Sequence, residues 1–213
     1  MPFRDVVGHG PLLQLIAQAV SRGTLPPSLG FVGPDGVGKQ LAAIALAQVQ
    51  NCLSLVETRP FAVDACGECD SCKKITRGSF SDLLLVEAIE NKPIIIDQIR
   101  QVVRQVAYRP FEGRRRVVVI KDADRMNVEA QSALLKTLEE PPDSSQFVLV
   151  TSRPDLLLLT VRSRIQQLNF VHLSVDEVFQ VVRGLGVETD DAQLLAAAGG
   201  SAGRAVALAS GEL

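Results

Sequence analysis

The sequence contains no candidate membrane-spanning segment and no export signal. No apolar run in its 213 residues reaches the about 20 residues that a membrane-spanning helix needs. The first five residues, Met1 to Asp5, lack the apolar core of a signal peptide. We therefore expect a soluble, cytoplasmic protein that has no membrane partner.

The chain also lacks a strong charge of either sign. Its formal net charge is -2, whereas a protein that binds nucleic acid over its whole surface is usually strongly basic. Any contact with nucleic acid must therefore be local or shared with partners. The dense basic run Arg114 to Arg116 precedes a predicted strand, so at least part of it is expected to face solvent. Arg100 and Arg104 share one face of a predicted helix, but neither group identifies an individual DNA-binding residue.

Apolar residues are plentiful, and their spacing predicts strands that alternate with helices. They make up 46% of the chain, enough for one full domain with or without a small appendage, and the 22% of charged residues argues against intrinsic disorder. Apolar spacing predicts strands at 28–32, 83–86, 116–120 and 147–151, and helices at 11–20, 38–50, 95–106 and 127–139. Because strands alternate with helices, the sequence predicts an α/β fold with a parallel sheet and right-handed crossovers.

The pattern changes near the end of the chain. Three short helices are predicted at 175–185, 191–198 and 202–209, with Ser174 and Asp190 as N-caps and no strand among them. We therefore predict an α/β domain over residues 1–168 and a small helical domain over residues 169–213.

A phosphate-binding loop is predicted directly after the first strand. Gly33 and Gly38 have four residues between them and are followed by Lys39, and Gly36 lies inside the loop. The glycines allow backbone N–H groups to surround a phosphate, and the lysine would reach the β- and γ-phosphates. The next position normally carries the Ser or Thr hydroxyl that binds magnesium, but here it is Gln40. Two interpretations stay open: an altered nucleotide site, or a loop kept for its fold that binds nucleotide weakly or not at all.

The acidic half of an ATPase site is also altered. A magnesium-orienting Asp and a water-activating Glu are expected after the buried strand at 116–120. The sequence has Lys121 at the first position and Asp122 at the second. A lysine there repels magnesium and can neutralise the neighbouring acid. We therefore expect a degenerate site in which ATP or ADP binding is doubtful, magnesium is absent and self-catalysed hydrolysis does not occur.

Four cysteines predict a metal site. Cys66, Cys69 and Cys72 follow one another at three-residue spacing, and Cys52 can supply a fourth thiolate from the end of the preceding helix. Four sulfurs around one tetrahedral ion suit structural zinc, with no open position for catalysis. The alternatives are an iron–sulfur cluster and four reduced structural cysteines. The predicted zinc module covers residues 52–74.

Three segments resemble signature segments of the bacterial clamp-loader AAA+ family. They are residues 96–100 (IDQIR), 115–126 (RRVVVIKDADRM) and 127–142 (NVEAQSALLKTLEEPP). The resemblance covers nearly the whole chain. It implies an AAA+ module, which is a P-loop parallel sheet flanked by helices, with a four-cysteine zinc insertion and a small three-helix lid. It also implies a helical collar domain after Leu213, so we expect either further residues there or a short variant of the family.

The resemblance assigns roles to two arginines. Ser163-Arg164-Ile165 resembles the family's Ser-Arg-Cys motif, whose arginine finger enters the ATP site of a neighbouring subunit. A planar guanidinium there stabilises charge on the transferring phosphoryl group, and removing it costs on the order of 10³-fold in rate. Arg204, after Gly203, resembles the second sensor, which faces a bound nucleotide. The structural alternatives are a surface arginine that ends a loop and a Gly-Arg pair that punctuates a helix.

Within that family, the altered loop and acidic motif resemble the delta-prime type of DNA polymerase III subunit. The ATP-hydrolysing gamma/tau type carries Thr after the loop lysine and an Asp-Glu pair after the strand. The resemblance therefore implies a holoenzyme component that is no enzyme on its own and helps to load the sliding clamp on primed DNA. Its partners would be gamma/tau and delta subunits, the clamp, and primer-template DNA in the assembled ring. Two alternatives stay open: an active gamma/tau-type ATPase, and a zinc-stabilised interaction module without a nucleotide role.

Overall fold

The computed structural model describes residues 1–89, 92–186 and 197–210. Its strands are β1 (Ser28–Val32), β2 (Val56–Thr58), β3 (Phe61–Asp64), β4 (Leu83–Val86), β5 (Arg116–Ile120), β6 (Ser145–Thr151) and β7 (Gln166–Asn169). Its α-helices are α1 (Gly10–Ser21), α2 (Lys39–Asn51), α3 (Asp70–Thr76), α4 (Ile96–Val106), α5 (Val128–Glu139), α6 (Leu159–Arg162), α7 (Val175–Gly184) and α8 (Ala202–Ser210). None of the described helices is both long and apolar enough to cross a bilayer.

A five-stranded parallel sheet forms the centre of the molecule, in the order β4-β5-β6-β1-β7. Strand β1 lies between β6 and β7, and Leu29 pairs with Val148 on one side and with Gln166 on the other. Because the strands are parallel, the loops at their carboxyl ends meet at one edge of the sheet. The predicted α/β class, with a parallel sheet flanked by helices, is confirmed.

Helices cover both faces of this sheet. Alternate side chains of a strand point to opposite faces, so Val117 and Val119 of β5 join one core, while Val118 and Ile120 join the other. The first core also receives side chains from α1, α2 and α7, and the second receives them from α4 and α5. Burial on both faces explains why β5 reads as an uninterrupted apolar run after its first residue.

The C-terminal helices begin where the sequence predicts. The Ser174 hydroxyl accepts a hydrogen bond from the Glu177 N–H, and the Glu177 carboxylate accepts one from the Ser174 N–H, so the two residues form a capping box for α7. Helix α8 matches the predicted third helix. The predicted middle helix and its cap Asp190 lie outside the described residues, apart from the last two positions of that helix. Strand β7 ends at Asn169, and the division into domains 1–168 and 169–213 stays a prediction.

Several short elements have no counterpart in the predictions. The antiparallel pair β2–β3 and helix α3 lie within the cysteine segment, while α6 and β7 lie between β6 and the lid. Strand β7 has the sequence QQLN and lies at the edge of the sheet, so it lacks the apolar pattern of a buried strand. Helices of four and seven residues are too short to show a helical period.

A buried ion pair fixes the loop of residues 107–115, between α4 and β5. The Asp82 carboxylate is fully buried and accepts hydrogen bonds from the backbone N–H groups of Phe111, Glu112 and Gly113 at 2.8–2.9 Å. It also accepts two from the Arg116 guanidinium, at 2.8 and 3.0 Å. Arg116, the last member of the basic run, is therefore buried in this pair, whereas Arg114 is exposed.

Candidate functional site

A cavity of 420 Å³ opens at the carboxyl ends of β1, β5 and β6. Four of the predicted nucleotide-site residues line it directly after those strands or at the start of α2: Gly36, Gly38, Lys39 and Gln40. Lys121 and Asp122 also line the cavity. They follow β5, which is separated from β1 in the sheet by β6 alone. The structure therefore brings the two altered motifs, which are more than 80 positions apart in the sequence, to one site.

The loop lysine binds its own loop. The Lys39 ammonium donates hydrogen bonds to the carbonyl oxygens of Gly33 and Pro34, both at 2.5 Å, and lies 3.8 Å from the Asp35 carboxylate. The lysine is buried, and burial lowers its pKa despite the opposing effect of the nearby carboxylates of Asp35 and Asp122. Lys39 thus has carbonyl and carboxylate partners within its own loop.

The lid packs directly on the phosphate-binding loop. The Gly203 N–H donates a hydrogen bond to the Gly36 carbonyl at 3.0 Å, where α8 begins. A Cβ atom at Gly36, whose φ is +71°, would lie 2.4 Å from the Ser201 hydroxyl oxygen, so only glycine allows this approach. Two predicted nucleotide-site residues, Gly33 and Arg204, do not line the cavity. Arg204 is exposed, and its neighbour Gly203 lines the cavity instead.

The residues after β5 turn away from one another. Lys121 extends toward the Glu87 carboxylate, at 3.5 Å, rather than toward Asp122. Asp122 has a left-handed backbone, with φ 48° and ψ 53°, where the chain turns sharply out of the strand. Among the residues that line the cavity, the carboxylates are those of Asp35 and Asp122.

An interaction beside the cavity has no counterpart in the sequence predictions. Asp124 is almost completely buried, and its carboxylate accepts hydrogen bonds from the Thr151 hydroxyl at 2.6 Å and from Arg153 at 2.9 and 3.1 Å. Burial raises the pKa of Asp124, but these two partners outweigh it and hold the pKa below its ordinary value. The Thr151 hydroxyl, at the carboxyl end of β6, is therefore occupied within the chain.

The N-terminal segment, residues 3–9, supplies another part of the site. Val6 and Val7 line the cavity, and the protonated Nε2 of His9 donates a hydrogen bond to the Val37 carbonyl of the phosphate-binding loop at 2.9 Å. The His9 ring packs edge-on against Phe170, with ring centroids 4.7 Å apart. The sequence signal for this role is the apolar pair Val6-Val7, just before the first predicted helix.

Arg164 lies at the opposite end of the sheet from this cavity. It precedes β7 and lines a second groove of 310 Å³ with Ser28, the first residue of β1, and Glu139. The cavity begins beyond the last residue of β1, and five residues of extended strand span about 16 Å. Arg164 therefore cannot serve the cavity of its own chain.

The four cysteines form one cluster, as the sequence predicts. All four are free thiols whose sulfur atoms lie within 4.8 Å of one another. The Sγ atoms of Cys52 and Cys66 are 3.5 Å apart, and those of Cys52 and Cys69 are 4.0 Å apart. Four sulfurs at about 2.3 Å from a central zinc ion would be about 3.8 Å apart, so the cluster fits one tetrahedral ion.

The environment of the thiols also fits a cation. Backbone N–H groups point at the sulfurs, including those of Cys66 toward Cys52 Sγ at 3.2 Å and of Cys69 toward Cys66 Sγ at 3.3 Å. Burial raises the pKa of Cys69, but hydrogen bonds from backbone N–H groups and neighbouring thiols outweigh it and bring the pKa to about 6. Burial raises the pKa of Cys52 and of Cys72. A bound cation would favour the thiolate form of all four.

The cysteine cluster is tied to the cavity through the N-terminal segment. Arg4 donates hydrogen bonds to the carbonyls of Ala65 at 2.8 Å and Cys66 at 3.0 Å, and to the buried Asp64 carboxylate at 3.1 Å. The Asp64 carboxylate also accepts the Phe3 N–H at 2.8 Å. Since residues 6 and 7 line the cavity, one short segment joins the two sites.

Comparison with known proteins gives a consistent set of relatives. Residues 8–174 match the family model described as DNA polymerase III, delta subunit. The DNA polymerase III subunit tau of Escherichia coli K12 is 35% identical over 176 residues, which are 83% of this chain and 26% of that protein. The DNA polymerase III subunit delta' of Pseudomonas aeruginosa is 38% identical over 173 residues, 79% of this chain and 51% of that protein. The chain thus spans about half or less of the length of these curated relatives.

Solved structures agree on the fold. A gamma subunit-related protein of DNA polymerase III from Thermotoga maritima has a TM-score of 0.57 at 22% identity, covering 81% of this chain and 49% of that one. The RuvB Holliday junction branch migration motor of the same organism has a TM-score of 0.61 at 18% identity, covering 98% of this chain and 62% of that one. At such identities the likeness concerns the fold alone, which is the predicted parallel sheet flanked by helices.

Proposed function

Because the chain belongs to the clamp-loader family of DNA polymerase III subunits, we propose that it is a delta-prime-type subunit that hydrolyses no ATP itself. In this role it helps to load the sliding clamp on primed DNA and supplies Arg164 to the ATP site of a neighbouring subunit. Its partners are then gamma/tau and delta subunits, the sliding clamp, and primer-template DNA held by the assembled ring.

The placement of Arg164 carries this proposal. Its guanidinium lies at the amino end of β1, whereas the cavity lies at the carboxyl end of the same strand. An arginine that cannot reach its own cavity but is partly exposed at the edge of the sheet suits a site on another chain. A planar guanidinium there would stabilise the charge of a transferring phosphoryl group.

The state of the chain's own cavity supports the first half of the proposal. Gln40 stands where a magnesium-binding hydroxyl is expected, and Lys121 stands where a magnesium-orienting acid is expected. Both line the same cavity, and the Lys121 ammonium adds a positive charge where magnesium would bind. These two replacements oppose hydrolysis, because phosphoryl transfer depends on positioning and charge stabilisation.

The test is DNA-stimulated ATP hydrolysis by the loader reconstituted with its partner subunits. With Arg164→Ala, turnover at the site that Arg164 serves should fall on the order of 10³-fold, so the loader loses that site's share of the rate. The matched control is Arg162→Ala, which removes a nearby arginine that pairs with Asp155 in its own chain at 3.3 Å. An unchanged rate with Arg164→Ala rules out the finger role.

The gamma/tau-type ATPase is the second candidate, since tau from E. coli is 35% identical over nearly the same stretch. Under this alternative the purified chain would hydrolyse ATP in a magnesium-dependent reaction that Lys39→Ala abolishes. Absence of turnover by the purified chain, at a concentration where a gamma/tau subunit is active, removes this candidate.

For the cysteine cluster we propose structural zinc held by Cys52, Cys66, Cys69 and Cys72. The sulfur spacing and the N–H groups aimed at the sulfurs support it. Metal analysis should give one zinc per chain in a colourless protein. A coloured, iron-containing preparation would indicate an iron–sulfur cluster instead.

A further inference from the structure

The guanidinium of Arg164 is held on two sides by groups of its own chain. Its Nε and Nη2 both donate to one oxygen, Oε1 of Glu139, with the Nε contact at 2.8 Å. Its Nη1 donates to the Thr160 carbonyl at 2.8 Å and to the Ser163 hydroxyl at 3.3 Å. Four hydrogen bonds therefore fix a side chain that would otherwise sample many rotamers on the surface.

These bonds leave one donor of the guanidinium free. A guanidinium has five N–H donors in one plane, and four of them are used: the Nε donor, one on Nη2 and both on Nη1. Glu139 occupies the edge formed by Nε and Nη2, so the free donor is the second one on Nη2, on the edge that Nη2 shares with Nη1. A phosphoryl group can take this donor while Glu139 keeps its own, and it takes a second donor from Nη1 in exchange for the 3.3 Å bond to Ser163, the longest of the four.

Glu139 itself is fixed by the fold. It is the last residue of α5, and Pro141 and Pro142 follow within three positions, which ends the helix at this point. Arg164 follows α6, where its Nη1 also binds the Thr160 carbonyl of that helix. The carboxylate therefore connects the end of one helix to the arginine that follows another.

We propose that Glu139 is a positioning residue for Arg164, and that it aims the Nη1–Nη2 edge at the phosphoryl group of the neighbouring subunit's nucleotide. This inference rests on the proposed finger role of Arg164. Glu139 touches no reacting atom and acts only by holding the guanidinium, and displacements of about 1 Å in such groups cost up to about 10²-fold in rate.

The experiment uses the reconstituted loader and compares variants at Glu139. Glu139→Ala should lower turnover at the site that Arg164 serves about 10-fold, through kcat, with the KM for ATP unchanged. Glu139→Gln keeps the acceptor oxygen and should restore most of the rate. The neighbouring exposed Glu140, as Glu140→Ala, is the matched control and should leave the rate unchanged. The unfolding midpoint should stay the same in all three, because this ion pair lies at the surface.

The double variant tests the positioning role of Glu139 separately from the finger role of Arg164. In an Arg164→Ala background, Glu139→Ala should have no further effect, because the group that it positions is gone. If Arg164→Ala lowers turnover but Glu139→Ala does not, or raises it, the positioning role is wrong while the finger role stands. If Glu139→Ala lowers turnover equally in the Arg164→Ala background, Glu139 acts in some other way and the inference fails. If Arg164→Ala has no effect, the proposed function fails first.

Discussion

Replacing Asp82 by asparagine tests how the loop of residues 107–115 is held. The buried carboxylate accepts five hydrogen bonds, two of them from the Arg116 guanidinium. An asparagine has one acceptor oxygen. If that oxygen keeps the place of Oδ1, its NH2 group faces the N–H groups of Glu112 and Gly113, and the buried Arg116 loses its counter-charge.

The expected loss of stability follows from these groups. Two orphaned buried donors cost about 1–3 kcal/mol each, and removing one partner of a buried ion pair costs about 3–5 kcal/mol. The two figures describe the same change, so we expect Asp82→Asn to lower the free energy of unfolding by about 3–5 kcal/mol. That is a large part of the about 5–15 kcal/mol typical of a folded chain.

The assay is urea unfolding at several pH values, with Asp155→Asn as a surface control. Asp155 also pairs with an arginine, but its side chain is 89% exposed, so its replacement should cost less than about 1 kcal/mol. Burial raises the pKa of Asp82, but backbone N–H groups and Arg116 outweigh it and keep the pKa below its ordinary value. The stabilisation is therefore present above about pH 4 and lost as pH falls through the folded-state pKa.

The difference between wild type and Asp82→Asn should accordingly be largest near pH 7 and shrink in acid. The reasoning would be refuted if Asp82→Asn cost no more than Asp155→Asn at pH 7, or if the difference grew as the pH was lowered.

Three further results are expected. Titration of ATP with magnesium into the chain should give a Kd of about 1 mM or weaker, unchanged by Lys39→Ala; a micromolar Kd that the variant abolishes would show an intact nucleotide site. Removal of the metal with a chelator should lower the thermal midpoint by several degrees, since binding of a structural metal is coupled to folding, and an unchanged midpoint would contradict a structural role. Arg4→Ala should speed hydrogen exchange at Val6 and Val7 with the zinc content unchanged, and equal exchange would show that the cysteine cluster does not support the cavity wall.

The sequence predicted those parts of the fold that depend on local pattern. Strands β1 and β5 are buried on both faces, so an unbroken apolar run was enough to find them. Strand β7 is polar because it lies at the sheet edge, and only its pairing with β1 identifies it as a strand. The cap Ser174 was also predictable, because capping involves a residue and an N–H three positions later.

In the candidate site, local motifs were predicted and long-range partners were not. The glycines of the phosphate-binding loop act through their own backbone, so their spacing reveals them. The bond from Thr151, at the end of β6, to Asp124, in the turn after β5, joins residues 27 positions apart, and no pattern in the sequence marks it. The same holds for Arg116, which belongs to a basic run but is buried against an acid 34 positions earlier.

The strand order has a consequence for folding during synthesis of the chain on the ribosome. Strand β1 carries the phosphate-binding loop, yet its two neighbours in the sheet are β6 and β7, and Ser28 pairs with Phe147. At about 5–20 residues per second, β1 leaves the ribosome several seconds or more before its first partner is made. Strand β1 thus stays unpaired longer than the other strands of the sheet, and a nascent chain stopped before residue 145 would expose an apolar strand with both edges open. In cells, we expect chaperones to bind such stalled chains at residues 28–32.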